Sequence, residues 1–275
     1  MTPDLQQTIL IGSDDPPPVR VVNSSGTTPL LLVCDHASNY IPPHLQCLGL
    51  SPHQLHEHIA WDIGAADLTL QLAMRLNCPA VLANYSRLLI DVNRDPDSDD
   101  PSLIPILSDG AEIPGNQQLS AQARLLRIEQ LHQPYHHELH CLLEQLCLLV
   151  DAPALFSIHT FTPTLKHADQ PRPWHAGMLW NCDPRMAVPL INYLRTHDHL
   201  VIGDNQPYSG REIAYTANRH GHDRGFPHCA IEIRQDLLQS YEDTQEWSDR
   251  LYAGLRQVLK TPGLHRVQYF DQPPA

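Results

Sequence analysis

Three apolar runs in this chain end on polar side chains that could bind a ligand or transfer protons. They are LLLVCDH at residues 30–36, ALFSIH at 154–159 and CAIEIR at 229–234. Runs of this kind are typical of strands that are buried on both faces, as in a parallel sheet. Because ligands of open α/β sheets bind at the carboxyl ends of the strands, the side chains that close these runs are expected to line one crevice.

The pattern around these runs predicts a single α/β domain. Further strand candidates are residues 80–83, 86–94, 176–180 and 201–203, with a long loop at 95–118 and a proline-bearing loop at 162–174. Helical patterns begin near residues 62, 119 and 183, and the pattern that begins near 119 is interrupted at Pro134. A further helical pattern ends near Gly221, and the last one includes Trp247. This alternation predicts a largely parallel sheet with helices on both faces. Residues 1–25 are predicted to form an irregular arm and residues 26–275 the domain.

Charge and cysteine usage limit the partners and the compartment. The net charge is −13 and the chain has no basic stripe, so nucleic acid is not an expected partner. No apolar stretch approaches the ~20 residues of a membrane span. The seven cysteines are scattered and contain no Cys-x-x-Cys, and Met1–Gln7 does not resemble a secretory signal. We therefore expect a cytoplasmic protein with a small-molecule ligand, whereas the oligomeric state is not predicted.

His36, His159 and Glu232 are the residues of these runs that could form a hydrolytic metal site. A catalytic zinc has three ligands from His, Asp or Glu, and a nearby Glu can accept the proton of the attacking water. Two simpler interpretations stay open. Each histidine could be hydrogen-bonded for structural reasons, and Glu232 could pair with Arg234 or another arginine, or face solvent.

Asn93 and Arg94 close another apolar segment, and Arg87 lies in the same segment. The guanidinium group matches a carboxylate in two hydrogen bonds, so these residues suit an anionic group of a substrate. The equally open alternative is that Arg94 pairs with a neighbouring aspartate at position 91, 95 or 97. His220 and His222, on either side of Gly221, could assist at the site, although a glycine here is also typical of a helix end.

Seven longer motifs together resemble the N-formylglutamate amidohydrolase family. They are CDHASNYIP at 34–42, HIAWDIGA at 58–65, SRLLIDVNR at 86–94, IPGN at 113–116, SIHTFTP at 157–163, RPW at 172–174 and IEIRQDL at 231–237. Their order and spacing match over about residues 29–240. The resemblance implies a fold related to the zinc carboxypeptidases, with a mixed, mostly parallel sheet and one catalytic Zn²⁺. It also implies cleavage of the amide of an anionic N-acyl amino acid, such as N-formyl-L-glutamate to formate and L-glutamate.

The same resemblance implies the roles of individual residues. His36 and His159 would be metal ligands, and Glu232 would promote the attack of water. Asn93 and Arg94 would hold the substrate carboxylate, and Arg87 would polarise the scissile carbonyl.

The third metal ligand is where the sequence departs from the carboxypeptidases. Those enzymes have Glu three residues after the first ligand, and here that position is Asn39. We predict Asp62 as the third ligand, with Asp35 as the alternative, and Arg234 as a further substrate contact.

Two other functions stay open at this point. The chain could be a deacylase or peptidase for a different acyl amino acid. It could also be a non-catalytic protein that binds a carboxylate in the same pocket.

Overall fold

The computed structural model describes residues 10–166, 172–197 and 199–271. Within them, the strands are β1 (Val19–Val22), β2 (Leu30–Cys34), β3 (Ala80–Ala83), β4 (Leu107–Ser108), β5 (Ala111–Glu112), β6 (Ala154–Phe161), β7 (Ala176–Leu179), β8 (Ile202–Asp204) and β9 (His228–Arg234). The helices are α1 (Pro52–Leu55), α2 (Ala65–Leu76), α3 (Ala121–Arg127), α4 (Gln133–Leu146), α5 (Pro184–Arg195), α6 (Tyr215–His220) and α7 (Tyr241–Val258). The strands predicted at residues 80–83, 176–180 and 201–203 are thus confirmed, each to within one residue.

One mixed sheet organises the molecule, with the strand order β1-β3-β2-β6-β9-β7-β8. β2 pairs in parallel with β3 and β6, β6 with β9, and β7 with β8. β1 and β7 are antiparallel to β3 and β9, respectively. The central strands β2, β6 and β9 run in the same direction, so the ends of all three predicted apolar runs lie at one edge of the sheet. The prediction of a mixed, mostly parallel sheet is confirmed.

Helices cover both faces of this sheet. Successive side chains of a strand point to opposite faces, and β2 shows this alternation clearly. Leu30 and Leu32 pack into a core cluster with α2, α5 and α7, whereas Leu31 and Val33 pack with α4 on the other face. Every residue of β2 is buried, as expected for a strand enclosed by two helical layers.

Helix α7 illustrates how local sequence and packing agree. Ser240 caps its N-terminus, and the carboxylate of Asp243 accepts a hydrogen bond from the backbone N–H of Ser240, which completes a capping box. Its buried side chains include Trp247, Leu251 and Leu255, which join the core cluster on the α2 side of the sheet.

Replacing Leu251 by Ala should lower the free energy of unfolding by about 2–5 kcal/mol, because the change leaves a cavity in this core. Leu251 is fully buried. Urea denaturation followed by circular dichroism measures the change. The matched control is Leu148→Ala, at a side chain that is 86% exposed, and it should alter stability by less than about 0.5 kcal/mol. Equal effects of the two substitutions would contradict the packing described above.

The strand predicted at residues 86–94 is wrong, because this segment forms turns. The side chain of Ser86 accepts a hydrogen bond from the backbone N–H of Leu88, and that of Asp91 accepts one from Asn93. Such bonds compete with the ladder of a sheet. The apolar residues between them are buried in a third cluster instead.

Three other segments differ from the prediction in detail. Val19–Val22, inside the predicted arm, forms the edge strand β1, and residues 1–9 of that arm lie outside the described part of the chain. Pro134 does not break its helix but lies in the first turn of α4, where its missing N–H is tolerated, directly after a π turn at Ile128–His132. The loop at 95–118 contains the hairpin β4–β5.

Residues 167–171 of the predicted loop at 162–174 are also outside the described residues.

No helix among the described residues is long and apolar enough to cross a membrane.

Candidate metal centre and active site

The three candidate residues of the apolar runs lie next to one another at the carboxyl edge of the sheet. His36 follows β2, His159 lies near the end of β6, and Glu232 is the partner of His159 in the β6–β9 register. Asp62 precedes α2, and its backbone N–H donates to the carbonyl of His36 at 2.9 Å. This hydrogen bond ties the start of α2 to the end of β2 and brings the Asp62 carboxylate to the two imidazoles.

His36, Asp62 and His159 form a compact group of potential metal ligands. The Nδ1 atoms of His36 and His159 lie 3.2 and 2.8 Å from the same oxygen, Oδ2 of Asp62. Ligand atoms of the three residues are all within 4.8 Å of one another, and the residues are buried. A set of two imidazoles and one carboxylate is a typical donor set for a catalytic zinc with an open coordination position.

Two further carboxylates hold the outer nitrogens of these imidazoles. Nε2 of His36 is 2.8 Å from Oδ1 of Asp91, and Nε2 of His159 is 3.0 Å from Oδ2 of Asp35. A carboxylate partner at Nε2 favours a proton on that nitrogen, so that the Nδ1 atom of each ring, which faces Asp62, is the one that could bind a metal ion. Asp35, the alternative third ligand, thus lies behind His159 rather than beside the other potential ligands.

Asp35 is itself fixed by a set of hydrogen bonds. It accepts from the hydroxyl groups of Tyr135 at 2.9 Å, Thr216 at 2.8 Å and Ser157 at 3.1 Å. Burial alone would raise the pKa of Asp35, but the neighbouring His159 and His36 and the hydroxyl of Thr216 outweigh it and lower the pKa to about 2. The carboxylate therefore stays ionised and can orient the ring of His159.

Glu232 is a buried carboxylate with a free oxygen. It is only 8% exposed, and its Oε2 has no hydrogen-bond partner among the residues that the structure describes. The alternative that Glu232 pairs with Arg234 is wrong, because Nε of Arg234 binds Oδ1 of Asp236 at 2.7 Å. Burial raises the pKa of Glu232 to about 7. A carboxylate of this kind can exchange a proton near neutral pH.

A cavity of about 160 Å³ opens onto these groups. Arg87, Asn93 and Arg94 line it, whereas Arg234 is not among the lining residues. Nη2 of Arg87 binds Oδ2 of Asp91 at 2.6 Å, which fixes the guanidinium at the cavity wall. The cavity thus brings cationic and amide donors to the metal-ligand group.

Arg94 does not form the ion pair with Asp91, Asp95 or Asp97 that the sequence left open. Its Nε donates to Oγ of Ser102 at 2.7 Å and lies 3.4 Å from Oδ2 of Asp100. Asn93 accepts a hydrogen bond from the backbone N–H of Thr216 at 3.0 Å. This bond uses the oxygen of the Asn93 amide and leaves its NH₂ group available to a ligand.

Sequence reasoning missed six residues that line this cavity, namely His58, Thr160, Phe161, Thr162, Tyr208 and Ile213. His58 opens one of the recognised motifs and its Nε2 lies 3.2 Å from Oδ2 of Asp109, but no apolar run precedes it. Tyr208 lies in a loop without periodicity, and its hydroxyl accepts from Nη2 of Arg172 at 2.7 Å.

The loop that carries Tyr208 is anchored to the sheet at a glycine. Gly177 of β7 faces Glu232 of β9 in the sheet register. A Cβ at Gly177 would come within 1.8 Å of the carbonyl oxygen of Gln206, so only glycine permits this close approach.

The family model described as N-formylglutamate amidohydrolase matches residues 28–239, most of the chain. The chain belongs to the N-formylglutamate amidohydrolase family. The resemblance inferred from the seven motifs is therefore confirmed, and the family assignment makes the chain an amidohydrolase by descent. No curated protein matches its sequence.

Two crystal structures share the fold of this family member. A gene product of Agrobacterium tumefaciens superposes with a TM-score of 0.87 at 29% identity, over 92% of this chain and 99% of that chain. An N-formylglutamate amidohydrolase from Ralstonia eutropha JMP134 superposes with a TM-score of 0.66 at 19% identity, over 88% of this chain and 97% of that chain. This chain therefore has the same fold as these two crystal structures, and the match covers nearly the full length of both of them.

Proposed function

We propose that this chain is a metal-dependent amidohydrolase that cleaves the acyl amide of an N-acyl amino acid. The observation that carries the proposal is the convergence of His36, Asp62 and His159 next to the unpaired carboxylate of Glu232. N-formyl-L-glutamate is the leading substrate, since the Ralstonia eutropha relative is named for its hydrolysis.

The donor set fits one divalent zinc ion held by His36, Asp62 and His159. Both imidazoles have their outer nitrogens engaged by carboxylates, which is the usual arrangement behind histidine ligands of zinc. Such an ion, when bound, would supply Lewis-acid polarisation of the acyl carbonyl and lower the pKa of a water molecule.

Glu232 is the residue that we assign to proton transfer. Its free Oε2 would accept a proton from the water that attacks the acyl carbon, and would donate it to the amide nitrogen as the C–N bond breaks. The products are then a carboxylate and a free amino acid. The elevated pKa of Glu232, about 7, suits both halves of this cycle.

The cationic wall of the cavity would bind and polarise the substrate. We assign to Arg87 the stabilisation of negative charge that develops on the carbonyl oxygen, because Asp91 fixes its guanidinium before the substrate arrives. Arg94 and the NH₂ group of Asn93 would hold the substrate carboxylate and so orient the amide.

A screen of formyl, acetyl and succinyl amino acids against the purified, zinc-loaded protein tests the proposal. Release of the free amino acid from one of these classes is expected, with N-formyl-L-glutamate the best substrate. Preference for another acyl group would favour the alternative of a different deacylase. If the protein binds these compounds without releasing an amino acid from any of them, the alternative of a non-catalytic carboxylate-binding protein is favoured.

Replacing Arg94 by Gln should raise KM by about 10- to 100-fold, because the substrate loses a charge-assisted hydrogen bond to its carboxylate. The matched control is Arg20→Gln, which removes the same charge from an exposed position on β1. A substrate whose α-carboxylate is replaced by a neutral amide should be insensitive to the Arg94 substitution. Equal loss for the acid and the amide in steady-state kinetics would contradict the assignment.

A further inference from the structure

A second cavity, larger than the first and sharing none of its lining residues, lies between α4 and α6. Its volume is about 550 Å³, and its wall includes His132, His136, His220, Arg219, Arg224 and Asp97. The proposed hydrolysis uses none of these side chains. This cavity therefore carries a dense group of imidazoles and guanidiniums in a chain whose net charge is −13.

The hydrogen bonds of the histidines fix which of their nitrogens carry protons. Nε2 of His132 is 2.9 Å from the carbonyl oxygen of Arg94, and Nε2 of His136 is 2.8 Å from that of Val92. A carbonyl oxygen can only accept, so each Nε2 carries a proton. Burial lowers the pKa of both rings, which are therefore neutral, and each Nδ1 is an acceptor.

His220 completes this arrangement. Nδ1 of His136 lies 2.9 Å from Nε2 of His220. Because that Nδ1 is an acceptor, Nε2 of His220 donates to it, and Nδ1 of His220 carries a lone pair. Nδ1 of His132 and Nδ1 of His220 have no hydrogen-bond partner in the described part of the chain, and both residues line the cavity. The cavity thus offers two unused acceptors.

The guanidinium groups supply donors to the same cavity. Arg224 pairs with Glu144 through Nη2, whereas its Nη1 is buried and has no hydrogen-bond partner within residues 10–166, 172–197 and 199–271. The Arg224 guanidinium lies 4.3 Å from the centre of the Phe226 ring, which holds it in place. Arg219 of α6 is the second cation and Asp97 the carboxylate of the wall.

These groups match the two ionic ends of a free amino acid. A carboxylate would be held by the guanidiniums of Arg224 and Arg219. An ammonium group would donate to Nδ1 of His132 and of His220 and be attracted by Asp97. A simple anion has no donor for either imidazole acceptor, and an N-acyl amino acid has no ammonium group to offer them.

We propose that the cavity between α4 and α6 is a second binding site, specific for a free α-amino acid. Its walls also contact the candidate active site. His132 and His136 hold the carbonyls on either side of Asn93, and Thr216 of α6 binds both Asn93 and Asp35. The site is therefore placed to sense the kind of molecule that hydrolysis of an N-acyl amino acid releases.

Isothermal titration with L-glutamate and L-alanine tests the proposal, in an Arg94→Gln background that weakens binding at the first cavity. At least one of the two is expected to bind. Adding Arg224→Gln should weaken that binding by about 10-fold or more, since one charge-assisted hydrogen bond is lost. Adding Glu144→Gln instead breaks the same ion pair but keeps the guanidinium, so binding should persist.

Analogues separate an amino acid from a simple anion. Glutarate and propionate, which lack the ammonium group, and inorganic phosphate should bind at least about 10-fold more weakly than the matching amino acid. The proposal is overturned if neither amino acid binds, if Arg224→Gln leaves binding unchanged, or if an anion without an ammonium group binds equally well.

Discussion

Replacing Glu232 by Gln is expected to lower kcat by about 10²- to 10⁴-fold, the usual contribution of a general acid–base group. Gln has nearly the same shape but cannot accept a proton from water at neutral pH. Glu232 is not part of the potential ligand group, so metal content should stay close to that of the wild-type protein. Steady-state kinetics and metal analysis on the same preparation measure both effects.

The matched control is Glu242→Gln, which makes the same chemical change at an exposed residue of α7. It should leave kcat unchanged. A Glu232→Gln protein that keeps its metal and more than a tenth of wild-type turnover would remove Glu232 from the reaction. Loss of metal together with turnover would instead make Glu232 a ligand.

The second large effect is expected for Asp62→Asn. Removing the negative charge of a ligand should lower zinc affinity by more than about 100-fold, the upper end of the range for outer partners of a ligand. Activity should fall with metal content, and chelation of the wild-type protein should abolish turnover that added zinc restores. Competition titration against a zinc chelator measures the affinity.

Asp35→Asn is the comparison that separates the two candidates for the third ligand. It removes the same charge, but from a residue that contacts Nε2 of His159 and not the ligand group. We expect it to lower zinc affinity by about 10- to 100-fold. A larger loss in Asp35→Asn than in Asp62→Asn would reverse the assignment, and circular dichroism of both variants checks that they are folded.

Much of the fold, and the place where the candidate site residues come together, could be predicted from the sequence because the buried strands are apolar runs that end on polar side chains. The apolar runs that end near His36, His159 and Glu232 are long enough to be recognised, and parallel pairing then places their ends together. Helix α5 was likewise predictable, since Asp183 caps it and Pro184 occupies its first position.

The remaining features of the site could not be predicted, because they depend on which side chains from distant segments come into contact. Asp35 and Asp91 are both near recognised motifs, but only the packed structure shows that they hold His159 and His36 from behind. The segment at 86–94 has the apolar content of a strand, yet side chains of Ser86 and Asp91 take backbone donors that a sheet would need. Hydrophobic pattern alone does not report such local competition.

The close contact between Gly177 and the carbonyl of Gln206 bears on how substrate range could change within this enzyme family. Residues 206–213 supply Tyr208 and Ile213 to the wall of the cavity, while Gly177 fixes the start of this segment one strand away from Glu232. We therefore expect that substitutions beyond the anchor can change which substrates fit the cavity without moving the carboxylate of Glu232, to which we assign proton transfer. Under the proposed function, substrate range and proton transfer would be encoded by separable parts of the chain, and a library restricted to positions 208–213 would test this.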